Sequence, residues 1–411
     1  MLWSKSNPAV SRRSFLRLAG AAAAAIPIVT ESRLAWAASP EDGDRPRRKA
    51  SSDSAADISA SGRVLINANE NPLGPCAAAC AAIAAIAPKG GRYDSEGETQ
   101  RLTSTFAAQN NLPEDHIGVY AGASEPLHFA VLAFTSVRRG YVAADPTYEA
   151  GMLAALSSRA RISRVKLRDD HAHDLRAMVA ADSRAGLIYI CNPNNPTGTL
   201  TPREEIEWAL DHKPKGAILL VDEAYIHLTD AQSVIDLVAQ GKDLIVLRTF
   251  SKIYGMAGIR CGLALGRPDL LAKLRPYGLN SVAITSTAAA TASLLDADLI
   301  PTRRKYFEQT RRQTYAFLEQ NGYKFIPSET NCFLLDTGRP GEQVIQAMQE
   351  KNVFIGRTWP IWPNMVRVSI GTPDEMERFQ AAYKDVMGSK ATLASVPAKN
   401  SGWLEMLAHR S

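Results

Sequence analysis

The sequence is poor in the residues that build disulfide or metal scaffolds. Its five cysteines, Cys76, Cys80, Cys191, Cys261 and Cys332, are odd in number and lie far apart. Cys76 and Cys80 could share a helix face, but no further Cys or His completes a metal set. All five are therefore read as small apolar core residues, and no metal is expected. The seven histidines show no ligand spacing beside a carboxylate. His171 and His173, in "HAH", read as a solvated loop between polar neighbours. The formal charge is only +5. No basic stripe is interleaved with aromatics, which argues against a nucleic-acid partner. The apolar stretch at 19–29 is too short and too weak for a membrane span.

That stretch belongs to a different pattern. Arg12 and Arg13 precede Phe15 and Leu16, the alanine-rich stretch follows, and then "AWAA". Basic, apolar and small-residue parts in that order make a secretory signal. It resembles a bacterial twin-arginine signal, an address read by an export machinery that carries folded proteins. The resemblance implies cleavage after Ala37 and a periplasmic destination, with no stable membrane span afterwards. Residues 38–61, rich in Ser, Asp and Arg, read as a disordered linker.

The middle of the chain repeats one theme: a short, mostly unalternating apolar run, then a polar cluster. "HIGVY" leads into Gly122-Ala123-Ser124-Glu125, and "YVAA" into Asp145-Pro146-Thr147-Tyr148. "GLIYIC" leads into "NPNNPTG" (192–198), "AILLV" into Asp222-Glu223-Ala224-Tyr225, and "LIVLR" into Thr249-Phe250-Ser251-Lys252. Such runs suit strands buried on both faces of a parallel sheet. Helix-period segments such as "PREEIEWALDHK" lie between them, giving an α/β fold. Ligands bind such sheets at the carboxyl ends of the strands, so all five clusters should share one rim.

The residue types there suggest a chemistry. A lysine at a buried strand end is desolvated, so its amine pKa falls and it becomes a nucleophile able to form a Schiff base. Asp222, at the end of the neighbouring run, needs a cationic partner, and a protonated pyridine nitrogen would be one. Thr249, Ser251 and Arg260 are suited to a phosphate, and "GASE" adds backbone N–H groups at a helix start. Schiff-base lysine, pyridinium carboxylate and phosphate cradle together describe pyridoxal phosphate.

The chain resembles the class I/II, fold-type I pyridoxal-phosphate aminotransferases, in particular their histidinol-phosphate aminotransferase-like branch. The segments that carry this are "NANENPLGP" (67–75), "RYDSEG" (92–97), "GASE" (122–125), "DPTYEAG" (145–151), "NPNNPTG" (192–198), "VDEAYI" (221–226), "TFSKIYGMAGIRCG" (249–262), "PSETNCFLL" (327–335) and "VRVSIGT" (366–372). The resemblance covers residues 62 to 388. It implies a large cofactor domain with a mostly parallel sheet sandwiched by helices (62–285), a smaller α/β domain (286–388) and a tail (389–411). It implies that Lys252 holds the cofactor and carries protons, and that Asp222 pairs with the ring nitrogen. It further implies that Asn195 and Tyr225 bond the ring's phenolic oxygen, that Tyr148 stacks on the ring, and that Ala123, Ser124, Thr249, Ser251 and Arg260 hold the phosphate. Tyr93 would reach a neighbouring subunit's phosphate, which implies a homodimer. Arg367, Arg357 and Asn331 would meet the substrate. Two departures are visible: Ser124 stands where the family carries an acidic residue, and "RYDS" replaces "RYPD".

The implied reaction moves an amino group from an amino donor to a 2-oxo acid by a ping-pong mechanism. Two alternatives stay open: a decarboxylase or lyase on the same cofactor, of the threonine-phosphate decarboxylase type, and a non-catalytic exported binding protein. The substrate is open as well. Arg357 and Arg367 suit a phosphate or a carboxylate, and "RTWPIWPNM" (357–365) is either an aromatic lining or a loop of packed tryptophans. Histidinol phosphate, an aromatic amino acid and another α-amino acid all fit.

Overall fold

The computed structural model describes residues 62–94, 97–278 and 281–388. The leader, the linker up to residue 61 and the tail from 389 lie outside the described residues. The strands in chain order are β1 (Val64–Ile66), β2 (Ile117–Tyr120), β3 (Gly140–Asp145), β4 (Ile162–Lys166), β5 (Ala185–Cys191), β6 (Ile218–Asp222), β7 (Leu244–Thr249), β8 (Gly262–Gly266), β9 (Phe325–Ile326), β10 (Cys332–Asp336), β11 (Val353–Ile355) and β12 (Met365–Ser369). The helices used below are α1 (Glu98–Asn110), α2 (Ser124–Phe134), α3 (Ala150–Ser157), α4 (Arg203–His212), α5 (Gly341–Glu350) and α6 (Pro373–Gly388).

The central sheet has seven strands in the order β2-β8-β7-β6-β5-β3-β4. β3, β4, β5, β6 and β7 pair in parallel, whereas β8 is antiparallel to both β7 and β2. Every strand of the sheet except β8 therefore points the same way, and the five polar clusters do share one rim. Because β8 runs backwards, its start lies at that rim and delivers Arg260 to the same place.

The unalternating runs have a simple cause. In β5, Leu187, Tyr189 and Cys191 join the core on one face of the sheet, while Ile188 and Ile190 join the core on the other. Both faces are covered by helices, so both sets of side chains are apolar. On one face, α2 contributes Leu127, Ala130, Val131 and Phe134, and α3 contributes Met152, Ala154 and Ala155. On the other, α1 contributes Leu102 and Phe106, and α4 contributes Ile206, Ala209 and Leu210. Each fully buried Leu, Ile or Phe adds on the order of 1.5–3 kcal/mol. β2 differs from expectation: as an edge strand it is only half buried beyond Ile117.

Two small sheets complete the fold. β9, β10 and β12 form an antiparallel sheet in the order β12-β10-β9. β1 pairs in parallel with β11, Ile66 facing Ile355. The same end of that pair therefore releases the chain at Asn67 and, through Gly356, at Arg357. A Cβ on Gly356 would lie 2.6 Å from the Arg367 carbonyl and 3.2 Å from that of Asn67, so only glycine lets these three segments meet. α5 and α6 cover this region with Val344, Met348, Phe379 and Tyr383.

Two further sequence expectations fail. His173 is fully buried and not solvated: its Nδ1 pairs with the Thr201 hydroxyl at 2.9 Å, and burial pushes its pKa down to about 3. Among the cysteines, Cys191, Cys261 and Cys332 are buried as expected, but Cys80 is exposed and Cys76 half-buried.

Candidate active site

Lys252 follows β7, three residues past the strand end at Thr249. Its Nζ donates to the Asn69 carbonyl at 2.9 Å and lies 5.4 Å from the centre of the Tyr225 ring. Burial, and then the positive charge of Arg367, hold its pKa down at about 8. Asp222 ends the neighbouring β6 and is also buried. Its Oδ2 accepts from the Tyr189 hydroxyl at 3.0 Å and its Oδ1 from the Ala224 N–H at 3.1 Å. Burial raises its pKa to about 6, against the opposing pull of those two hydrogen bonds. Among the described residues no cation pairs with it.

The rim between β2 and β8 is built around backbone. α2 begins at Ser124, with Ala123 as its N-cap residue. Gly122 has φ +89°, and a Cβ there would sit 2.2 Å from Arg260 Nη2. A Cβ on Gly262 would sit 2.6 Å from the Ala123 nitrogen. Both glycines are thus needed for the strand start, the helix start and the guanidinium to converge. Arg260 donates to Ala121 O at 3.2 Å and to the Ser251 hydroxyl at 3.4 Å; Thr249 Oγ1 donates to Ser251 Oγ at 3.0 Å. Ser124 and Tyr148 hydroxyls lie 3.1 Å apart. Hydroxyls, a helix N-terminus and a guanidinium on one small arc suit a phosphate.

A third group faces these from the small sheets. Arg367, on β12, donates to Asn195 Oδ1 and to the Asn67 carbonyl, both at 3.1 Å. Its Nε and the Asn331 Oδ1 are buried with no hydrogen-bond partner among the described residues. Arg357 donates to Glu149, at 2.5 and 2.6 Å.

The family model described as "Aminotransferase class I and II" matches residues 64–382. The chain belongs to the class I and II aminotransferase family. It is 33% identical over 332 residues to the histidinol-phosphate aminotransferase of Symbiobacterium thermophilum, covering 79% of this chain and 91% of that one. It is 35% identical over 336 residues to histidinol-phosphate aminotransferase 1 of Cupriavidus pinatubonensis, covering 79% and 88%. The solved histidinol-phosphate aminotransferase of Sinorhizobium meliloti, in complex with pyridoxal-5'-phosphate, is similar at 26% identity with a TM-score of 0.74, covering 81% and 94%.

As an aminotransferase of this family the chain is a fold-type I enzyme with pyridoxal phosphate as its cofactor. Its own residues fit that group. A buried carboxylate without a cationic partner suits a protonated ring nitrogen. Asn69 Nδ2 donates to the Tyr225 oxygen at 3.0 Å, so the tyrosine's own proton is left to donate. Arg367 occupies Asn195 Oδ1, which leaves the Asn195 NH₂ as a second donor for one acceptor oxygen.

Of the asparagines in "NPNNPTG", Asn192 and Asn194 are scaffold. Asn192 bonds both backbone groups of Thr201, and Asn194 bonds Thr147, Thr197 and the Pro146 carbonyl. Of the three, Asn195 is the one whose side chain bonds Arg367. Asn331 spends its Nδ2 on the carbonyls of Asn69 and Glu70, fixing the N-terminal segment. Tyr93 is 92% exposed in the single chain.

Three residues of the site were not singled out from sequence. Asn69, with φ +54°, bonds Tyr225, Cys332 and Ser369 as well as Lys252. Tyr189 bonds Asp222, and Glu149 bonds Arg357. "NANENP" was the only available signal for Asn69. Glu149 lay within "DPTYEAG" without a role of its own, and Tyr189 lay within an apolar run.

Proposed function

We propose that this chain is a transaminase of the histidinol-phosphate aminotransferase type, which moves an amino group from an amino donor to a 2-oxo acid in two half-reactions. One observation carries the reading: the desolvated Lys252 amine after β7, beside the unpaired Asp222 carboxylate at the end of β6, with the phosphate-suited arc across the same rim. When bound, pyridoxal phosphate supplies an electrophilic carbon for the substrate's amino group and a sink for the electrons released at the substrate's Cα.

The chain's residues would do the rest. Lys252, neutral in a large fraction near pH 8, holds the cofactor and then carries a proton at its Nζ. Asp222 keeps a positive charge on the ring nitrogen. Tyr225 and Asn195 donate to the phenolic oxygen, and Tyr148 covers the ring. Ala123, Ser124, Thr249, Ser251 and Arg260 hold the phosphate. Arg367 binds the donor's anionic group, with its unpartnered Nε as support for that role. The decarboxylase reading and the binding-protein reading are not favoured by the relatives named above, which carry the aminotransferase name at 33% and 35% identity.

The division into a large domain (62–285) and a small one (286–388) belongs to this reading. So does a homodimer in which the exposed Tyr93 reaches the partner. The twin-arginine leader supports export of the folded chain to the periplasm.

Borohydride reduction of the loaded protein, followed by peptide mapping, tests the reading. The cofactor mass should appear on the peptide that contains Lys252. Lys252→Ala should keep its fold and its Tm, lose that label and lose turnover. A label on another lysine would refute the assignment.

A further inference from the structure

Arg357 and Arg367 enter the site with different electrostatic surroundings. Among the described residues, the Arg367 guanidinium is held by neutral oxygens, Asn195 Oδ1 and the Asn67 carbonyl. Arg357 donates through Nη2 to both carboxylate oxygens of Glu149. Both guanidiniums lie over the same indole, Trp359, at 4.8 and 5.7 Å from its centre. The site therefore holds two adjacent cations, and the chain itself neutralises one of them.

Glu149 is placed for this. It is the N-cap residue of α3 and follows Tyr148, whose hydroxyl is tied to Ser124. Its side chain is 16% exposed and that of Arg357 41%. The pair is wet enough to open, but an anion that would use Arg357 must first displace a carboxylate and then sit beside it. A singly charged ligand on Arg367 meets no such obstacle.

We propose that Glu149 is a specificity-determining residue, an internal counter-ion to Arg357 that biases the pocket toward singly charged ligands and against dicarboxylates. This rests on the transaminase reading for the identity of the pocket. Glu149 acts through Arg357 and touches no reacting atom. Doubly charged substrates still bind, at the cost of opening the pair.

The test compares two unreactive probes on the cofactor-loaded protein by calorimetry: 3-phenylpropanoate, singly charged, and glutarate, doubly charged. In Glu149→Gln the affinity ratio of glutarate to 3-phenylpropanoate should rise about tenfold, the equivalent of about 1.4 kcal/mol. Glu149→Asp, which keeps the charge, should change the ratio far less. In the double variant Glu149→Gln with Arg357→Gln, the rise should vanish, since the two residues act as one unit. In turnover, Glu149→Gln should lower KM for a dicarboxylate with little change in kcat. An unchanged or falling ratio in Glu149→Gln would overturn the proposal, as would a rise that survives loss of Arg357. These ratios are read without turnover. A chain that shows them yet deaminates no donor would refute the transaminase reading and leave the role of Glu149 standing.

Discussion

The Lys252 amine should titrate far below an ordinary lysine in the cofactor-free protein. Its usual value of 10.5 falls to about 8 because the side chain is buried and Arg367 is close. That gap raises the neutral-to-charged ratio roughly 300-fold at any pH between the two values. Competition labelling with trace acetic anhydride, read by mass spectrometry peptide by peptide, measures this directly. Labelling of Lys252 should reach half its plateau near pH 8, while exposed lysines continue to rise past pH 10. Arg367→Gln removes the positive charge that lowers this pKa, so the midpoint should move up. Burial remains in that variant, so it should stop short of 10.5. The sign carries into stability. A lysine whose folded pKa is depressed binds fewer protons in the folded chain than in the unfolded one between about pH 8 and 10.5. Its contribution to stability therefore rises with pH across that window. A Lys252 midpoint at 10 or above would refute the desolvation argument, and a midpoint indifferent to Arg367→Gln would refute the electrostatic part.

Other residues give independent checks. Asn69→Ala leaves alanine at φ +54°, a left-handed conformation that asparagine tolerates better, and strips a buried donor from Tyr225, so it should destabilise by about 2–4 kcal/mol; Asn69→Gly should cost less, as the denaturation midpoints will show. Gly122→Ala, with its Cβ driven against Arg260, should weaken cofactor binding at least tenfold (on the order of 1.4 kcal/mol) by titration of the apoprotein, with little loss of secondary structure. Tyr189→Phe removes one of the two hydrogen bonds that lower the Asp222 pKa, so the carboxyl should titrate above its present value of about 6, measurable by difference infrared spectroscopy. Because that carboxyl is raised, its contribution to the stability of the cofactor-free protein should fall as pH rises from 3.8 to about 6.

What was legible in the sequence was whatever is written in contiguous residues. β5, β6 and β7 are buried on both faces, so their apolar runs announced them. The polar residue that ends each run then marked the rim, which is how Lys252, Asp222 and the phosphate arc could be read. β4 ("ISRVK") is mostly polar and only half buried, and β8 is the glycine-bounded "GLALG", so neither announced itself. The missed site contacts and His173 share one cause: partners distant in sequence. Asn69 meets Lys252 across 183 positions, brought there by a three-residue β1–β11 pairing too short to detect. Glu149 meets Arg357 across 208 positions, and as the residue just before a helix it looks like any surface acid. His173 looked solvated because its neighbours are polar. The Thr201 hydroxyl that lets it be buried lies 28 positions away.

The central claim is that this pocket moves amino groups. The loaded protein should be given a panel of amino donors with 2-oxoglutarate, and glutamate and carbon dioxide measured together. The account predicts glutamate in equal amount to the 2-oxo product of the donor, no carbon dioxide, and no glutamate from Lys252→Ala. Carbon dioxide without glutamate would contradict it.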